Sequence, residues 1–408
     1  MTRRPLKFGL FLAPFHSPSG NPTEQIHRDL ALIQHLEDLG YHEAWIGEHH
    51  SAAFETIGSP EIFIAHAAAI TKQIRLGTGV VSLAYHNPLM LADRILQLDH
   101  QTRGRVMFGC GPGQLPSDAF MMGIRPVNQR RMMNESLDVL VPLLRGETVT
   151  RKTDWFDLQE ARCQLPPVQW PQPEMSVASA LSPSGSRAAG KYGLGLLSLA
   201  ASGPEGYDKL PQHWEVCKEK AAEHGQSVDR ANWRCVLPMH IAETREQAYE
   251  DMRHGTMELS GYMGGLLGRT PSYATSFERM LEEWTGPGLP VFGKLTLGNP
   301  DDAIAVIEKL LAKSGGFGTV LLFGHNCASP TATLKSYELI AQKVIPAIND
   351  MNRGRVESLE WAGRNSKRFI HEMINGVETA IEEHEKERAQ GGTSKTEWKK
   401  LQFDLENL

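Results

Sequence analysis

The stretch TEQIHRDLALIQHLEDLGYHEAWIGEHH, residues 23–50, reads as an amphipathic helix running directly into a short apolar strand. Thr23 is placed to cap the helix and Gly40 to end it. Just upstream, LKFGLFL at residues 6–12 reads as a buried strand. Strand, helix and strand in that order make one step of a parallel sheet, since a parallel neighbour is reached only by a crossover.

The same alternation continues outward. SPEIFIAHAAAITKQ, IRLGTGVVSL, PLMLADRILQLDHQT, RVMFGCG and QRRMMNESLDVLVPLLRG bring four βα units to about residue 146. EMSVAS with SGSRAAGKY, GLLSLA with YDKLPQHWEVCKEKAAEHG, WRCVLPMHIA with TREQAYEDMRHGT, and GTVLLFGH with TATLKSYELIAQKVIPAIND supply four more. Eight units predict a closed (β/α)8 TIM barrel. Two segments break the rhythm. Residues 151–173 carry aromatics and prolines and predict a small insertion, and residues 255–298 are too long for an ordinary loop. The second reads equally as a lid or as a static excursion. The barrel domain is expected over residues 1–350, with a charged helical extension over 351–408.

Composition excludes several classes. The chain has 408 residues, a formal net charge of −6 and no massed basic segment, so nucleic acid is not the expected partner. Five cysteines, far apart and odd in number, form neither a disulfide framework nor a C-x-x-C motif, which fits a reducing cytoplasm. The apolar run in MTRRPLKFGLFLAPF is too short for a membrane span.

In such a barrel, chemistry gathers at the C-terminal ends of the strands. GEHH ends the second strand, and its two histidines admit three readings: a metal site, a general acid or base, or packing. Neither H-x-H nor H-E-x-x-H occurs, and alternation along a strand turns Glu48 and His50 away from His49, so no metal is expected. GTGVV, FGCGPGQLP and SALSPSGS close the third, fourth and fifth strands. Their small residues admit a flat ligand, and Ser182, Ser184, Gly185 and Ser186 at a helix start suit a phosphate. Each motif alone is more ordinarily a turn or a helix cap.

Taken in order, KFGLFL, GEHH, IRLGTGV, NPLMLADRILQLD, RGRVMFG, QRRMMNESLDVL, SPSGSRAAGKYG and NPDDAIAVIEKL resemble the bacterial luciferase-like flavin monooxygenases over about residues 6–348. FLAPFH, SPEIFIA, GPGQLPSDAFMMGI and VTRKTDWF are most similar to the limonene monooxygenases within that family. The resemblance implies reduced FMN, with FAD as the alternative, at the barrel mouth. It further implies O2 as oxidant, and a separate flavin reductase that draws on NADH or NADPH. A homodimer is the family's habit.

Carried onto this chain, the resemblance makes His49 the histidine beside the reactive flavin carbon and His50 a structural neighbour. Gly79 and Val80 match a site of non-prolyl cis peptides, and Gly111 stands where a reactive cysteine occurs in the luciferase catalytic subunit. Arg130 and Ser182 match phosphate ligands. Pro112, Leu181 and Gly185 depart from the family's arginine, glutamate and threonine, which weakens phosphate capture unless other groups compensate. Phe11, Phe15, Phe120, Met121, Met122 and Met263 suggest a small apolar substrate, although such residues more commonly fill cores. The expected reaction is epoxidation or hydroxylation of a cyclic terpene such as limonene. Baeyer–Villiger oxygenation of a cyclic ketone and deazaflavin-dependent dehydrogenation are the alternatives on the same fold.

Overall fold

The computed structural model describes residues 4–13, 15–266, 276–289 and 293–398. The chain divides into two units, Met1–Asn349 and Asp350–Leu408. In the first, the strands are β1 (Lys7–Leu12), β2 (Glu43–Ile46), β3 (Arg75–Thr78), β4 (Val81–Ser82), β5 (Val106–Gly111), β6 (Val149–Lys152) and β7 (Asp157–Ala161). They continue with β8 (Glu174–Ser179), β9 (Gly195–Ser198), β10 (Trp233–Ile241), β11 (Thr296–Gly298) and β12 (Thr319–Phe323). Parallel pairing runs β1, β2, β3, β5, β8, β9, β10, β12 and returns to β1, closing an eight-stranded barrel. β4 prolongs the line of β3 and pairs with β5, while β11 lies beside the end of β10. The hairpin β6–β7 is antiparallel and forms the insertion near residue 151.

The surrounding helices are α1 (Pro22–Asp38), α2 (Pro60–Ile70), α3 (Pro88–Gln101), α4 (Pro116–Met121), α5 (Pro126–Leu144), α6 (Ser184–Tyr192) and α7 (Pro204–Glu223). They continue with α8 (Arg245–Asp251), α9 (Thr256–Leu266), α10 (Phe277–Thr285), α11 (Pro300–Ser314), α12 (Pro330–Leu339) and α13 (Ile345–Ile348). Most begin on a proline, whose fixed φ and missing N–H suit the first helical position. That corrects the cap of α1. Asn21, not Thr23, accepts from the amides of Thr23 and Glu24, and Leu39 is the C-cap, with Gly40 following at φ 81°. A second correction is α11, a full helix with an Asn299–Asp302 capping box, which the alternation leaves uncounted between the last two strands. The second unit holds α14 (Arg353–Ala389), a charged helix as the sequence suggests. Among the described residues no helix is long and apolar enough to cross a membrane.

The barrel interior is layered. At the N-terminal end Arg234 of β10 donates to Glu43 of β2 and Glu174 of β8, all taken from the first residues of their strands. Above it the Trp45 ring fills the centre. A Cβ at Gly77 would come within 2.7 Å of that ring and one at Gly109 within 2.8 Å, so both strands need glycine there. Toward the C-terminal end, Phe11 and Phe323 lead into an apolar cluster that takes in Tyr262 and Met263 of α9 and Trp284 of α10. Within the 255–298 excursion α9 and α10 are thus seated on the barrel core, and β11 pairs with β10. Residues 267–275 and 290–292 of that excursion lie outside the described residues.

Candidate active site

β2 ends at Ile46, and the next four residues, Gly47 to His50, lie where the barrel opens. Their side chains divide into two networks. Glu48 is buried, and its Oε2 accepts from the Ser82 amide at 2.6 Å. Its Oε1 accepts from His86 Nε2 at 2.7 Å and from His50 Nε2 at 3.0 Å. Arg94 donates to His86 Nδ1 at 3.1 Å, so His86 carries its proton on Nε2. Burial alone would raise the Glu48 carboxyl, but the His50, His86 and Ser82 hydrogen bonds outweigh it and hold it below the usual carboxylate range. This half of the histidine pair ties β2 to the segment after β4.

His49 belongs to the other network. Its Nδ1 lies 3.1 Å from Asp118 Oδ2 at the start of α4, and its Nε2 lies 3.4 Å from Glu55 Oε2. Asp118 also accepts from the His50 amide and the Ser51 hydroxyl, which fixes the loop to α4. Glu55 in turn accepts from the Tyr262 hydroxyl at 3.1 Å. Burial would lower the His49 pKa, but Glu55 and Asp118 prevail and raise it. Asp118 is held low, burial being outweighed by its bonds to His49 and Ser51. A carboxylate only accepts, and a neutral imidazole has one N–H, so facing two carboxylates with two ring nitrogens favours the imidazolium. Nδ1 is firmly held; the proton on Nε2, at the longer contact, is the one free to move.

The other sequence candidates fall into two groups. The Gly79–Val80 peptide is cis. Gly111 adjoins it: a Cβ there would meet Val80 Cγ2 at 2.8 Å, so Val80 occupies the space a cysteine side chain would need. Gly185 allows α6 to approach β8, since a Cβ would lie 2.1 Å from the Ala178 carbonyl oxygen. Ser186 is buried, with its hydroxyl 3.3 Å from that of Ser179, and so points into the wall. Ser182 and Ser184 remain half-buried with hydroxyls 2.9 Å apart, at a helix start that no side chain caps. Arg130 is exposed on the first turns of α5 and has no ion-pair partner among the described residues.

α5 and α6 follow neighbouring parallel strands, and Asp138 of α5 bonds Lys191 and Tyr192 of α6. Eight residues back along each helix stand Arg130 and Ser184, which puts them at the same level near the mouth. Of the apolar candidates, Phe11, Phe15 and Met263 share one buried cluster, whereas Phe120, Met121 and Met122 are exposed.

Sequence reasoning passed over four residues. Asp118, Glu55 and Tyr262 hold His49 or its partner, and no local pattern marks them. Lys209 of α7 donates to the Leu181 carbonyl at 3.3 Å, bringing a positive charge to the Ser182–Ser184 loop. Over the mouth lies an open cleft of about 600 Å³, lined by Ala52, Phe54, Ser117, Tyr262 and Leu266 among others. A more enclosed cavity of about 260 Å³ lies between α1 and α12 and includes none of the residues that hold His49. Among the described residues no three His, Cys, Asp or Glu side chains are grouped to hold a metal.

The chain is similar to known proteins along most of its length. The luciferase-like monooxygenase family model matches residues 6–311. The chain is 45% identical to limonene 1,2-monooxygenase of Rhodococcus erythropolis, over 94% of this chain and 97% of that one. It is 42% identical to 4-hydroxyprotoasukamycin monooxygenase of Streptomyces nodosus subsp. asukaensis, over 89% and 97%. The oxygenating constituent of 3,6-diketocamphane monooxygenase from Pseudomonas putida, a type II Baeyer–Villiger enzyme solved with FMN, superposes with a TM-score of 0.68. It is 25% identical and covers 84% of this chain and 98% of its own. With a closed parallel barrel, a histidine at the end of β2 and matches of this length, the chain belongs to the luciferase-like monooxygenase family.

Proposed function

We propose that the protein is the oxygenase of a two-component flavin monooxygenase, transferring one oxygen atom of O2 to a small apolar substrate such as limonene or a related cyclic terpene. The observation that carries this reading is His49, held as a proton donor between Asp118 and Glu55 beside an apolar wall. Reduced flavin, when bound, supplies the two electrons that let one oxygen atom reach the substrate and the other leave as water. FMN is the form we assign, FAD the alternative, with a separate reductase delivering it from NADH or NADPH.

The residues present fit that cofactor. Arg130 brings an exposed guanidinium, Ser182 and Ser184 bring hydroxyls, and the α6 amides add a partial positive charge, together suiting a phosphate. Lys209, which donates to the Leu181 carbonyl, adds a positive charge beside the serines, where the arginine replaced by Pro112 is missing. Gly79 and Val80 offer backbone for the flat ring system, with Gly111 giving Val80 its room. Phe11, Phe15, Tyr262 and Met263 keep water from the reacting end. His49 holds and moves a proton at Nε2. A protonated His49 favours an electrophilic oxygen, which an alkene accepts, over the nucleophilic oxygen that attack on a ketone needs. The similarity to a Baeyer–Villiger enzyme keeps the ketone reaction as the second reading.

Purified protein incubated with a flavin reductase, NADH, FMN or FAD, and panels of terpenes and cyclic ketones is expected to yield a terpene epoxide or alcohol by mass. A lactone from a ketone alone would favour the second reading. Hydride transfer without oxygen uptake would point to deazaflavin chemistry instead. In the same system Arg130→Ala is expected to raise the reduced-flavin Kd roughly ten-fold or more, since a charge-assisted hydrogen bond contributes about 1.5–3 kcal/mol. An unchanged flavin titration would remove Arg130 from the site.

A further inference from the structure

We infer that Tyr262 of α9 is a positioning residue for His49: through Glu55 it sets the charge of the imidazole, so that the seating of α9 on the barrel mouth governs the strength of the acid. The inference rests on the reading of His49 as the proton donor, but its geometry stands on its own. The Tyr262 ring is wedged between Phe54, at 4.7 Å between centroids, and Phe15, at 5.5 Å and edge-on. That wedge delivers the hydroxyl to Glu55 Oε1 at 3.1 Å, while Glu55 Oε2 faces His49 Nε2 at 3.4 Å. The Glu55 backbone is itself anchored by a bridge to Phe15.

Glu55 is buried, and a carboxylate there keeps its charge only with help. Burial raises its pKa above the ordinary carboxylate value, and His49 and the Tyr262 hydroxyl pull it only part of the way back. Tyr262, itself pushed well above the usual tyrosine range by burial and by Glu55, acts purely as a donor. Loss of that donor moves Glu55 toward its neutral form and takes one of two negative charges from His49. Among the described residues the charged and titratable groups around His49 are Asp118 of α4, Glu55, Glu48 and His50 of its own segment, Tyr85 beyond β4, and Tyr262 of α9. Asp118 grips Nδ1 whatever α9 does, so Nε2 is the edge that α9 controls.

The test reads His49 directly. Histidine NMR titration of the unliganded protein, with the His49 signal assigned by its loss in His49→Asn, is expected to give a midpoint above the ordinary value of about 6.5. Glu55→Gln should lower that midpoint by about 1 pH unit or more, the usual effect of removing a neighbouring opposite charge. Tyr262→Phe should lower it by less, and Met257→Leu, on the exposed side of α9 and touching neither its seating nor the hydroxyl, should leave it in place. An unmoved midpoint in Tyr262→Phe, or an equal shift in Met257→Leu, overturns the inference. Should Tyr262→Phe not fold, Glu55→Gln decides: a lowered midpoint supports the coupling and an unchanged one overturns it. Because no turnover is needed, a failed terpene assay would strike the proposed function and leave this result standing.

Discussion

His49→Ala is expected to bind reduced flavin nearly as the parent does and yet to lose product by about 10²–10⁴-fold, the usual contribution of a placed general acid or base. Oxygen consumption continues in this variant, with hydrogen peroxide as its end product. The residues proposed to hold the flavin phosphate, Arg130, Ser182 and Ser184, lie on α5 and around the start of α6, away from the β2 loop that carries His49, so binding is expected to survive. His49→Asn keeps one hydrogen bond but carries no proton, so it should lose less coupling than alanine without regaining turnover. The pH dependence has a definite sign. The folded-state pKa of His49 is raised, so the imidazolium and the stability it adds are fully present below about 6.5 and are lost as pH rises through the folded value. Product per NADH should fall over that same window in the parent, and His49→Asn should lack that limb. Parent-like turnover in His49→Ala, measured beside flavin binding and peroxide yield, would return the histidine pair to packing.

The sequence carries the barrel because alternation is local. Each strand, such as EAWI in β2, is short, apolar and separated from the next by a helix whose start a proline or cap residue marks. α11 escaped because the Gly- and Pro-rich text before it breaks the rhythm where β11 and its helix resume it. GEHH could be singled out since strand ends carry chemistry, but its meaning depends on partners that no local pattern names. Glu55 and Tyr262 are 207 residues apart, and Asp118 lies 69 beyond His49. Such pairings are created when the sheet closes, by strand register and by which loops the closure brings over the mouth. The same holds for the phosphate end. SPSGS announces a helix start, yet only the packed structure separates Ser182 and Ser184, which remain accessible, from Gly185 and Ser186, which are used by the wall.

The largest effect on stability is expected at the opposite end of the barrel, from Arg234→Met. The guanidinium donates to Glu43 at 2.6 and 3.0 Å, to Glu174 at 2.6 Å and to Ser176 Oγ at 3.2 Å, and it lies 4.8 Å from the centroid of the Trp45 ring. Glu43 has no exposed side-chain surface, so the substitution leaves its carboxylate in the barrel centre without a cation, with the Trp45 indole N–H and the Thr319 hydroxyl as its remaining donors. Breaking one side of a buried ion pair costs about 3–5 kcal/mol. At present burial pushes Glu43 and Glu174 up, but Arg234, joined at Glu174 by Arg75, pulls both below the usual range, Glu174 to about 2. Depressed carboxyls contribute stability that is present above their ordinary pKa of about 4.3 and lost as pH falls toward the folded value. In the variant only the Trp45 hydrogen bond still opposes burial at Glu43, so its pKa rises and its charged form is penalised more the higher the pH. The gap between parent and variant should therefore be widest near neutrality and shrink below about pH 4. Urea unfolding at both pH values measures it, and adding Glu43→Leu should recover most of the loss, since an apolar pair of similar size often replaces a buried ion pair without cost. Equal losses at both pH values, with no recovery in the double variant, would mean that Arg234 acts through its packing over the Trp45 ring rather than through its pairing with the carboxylates.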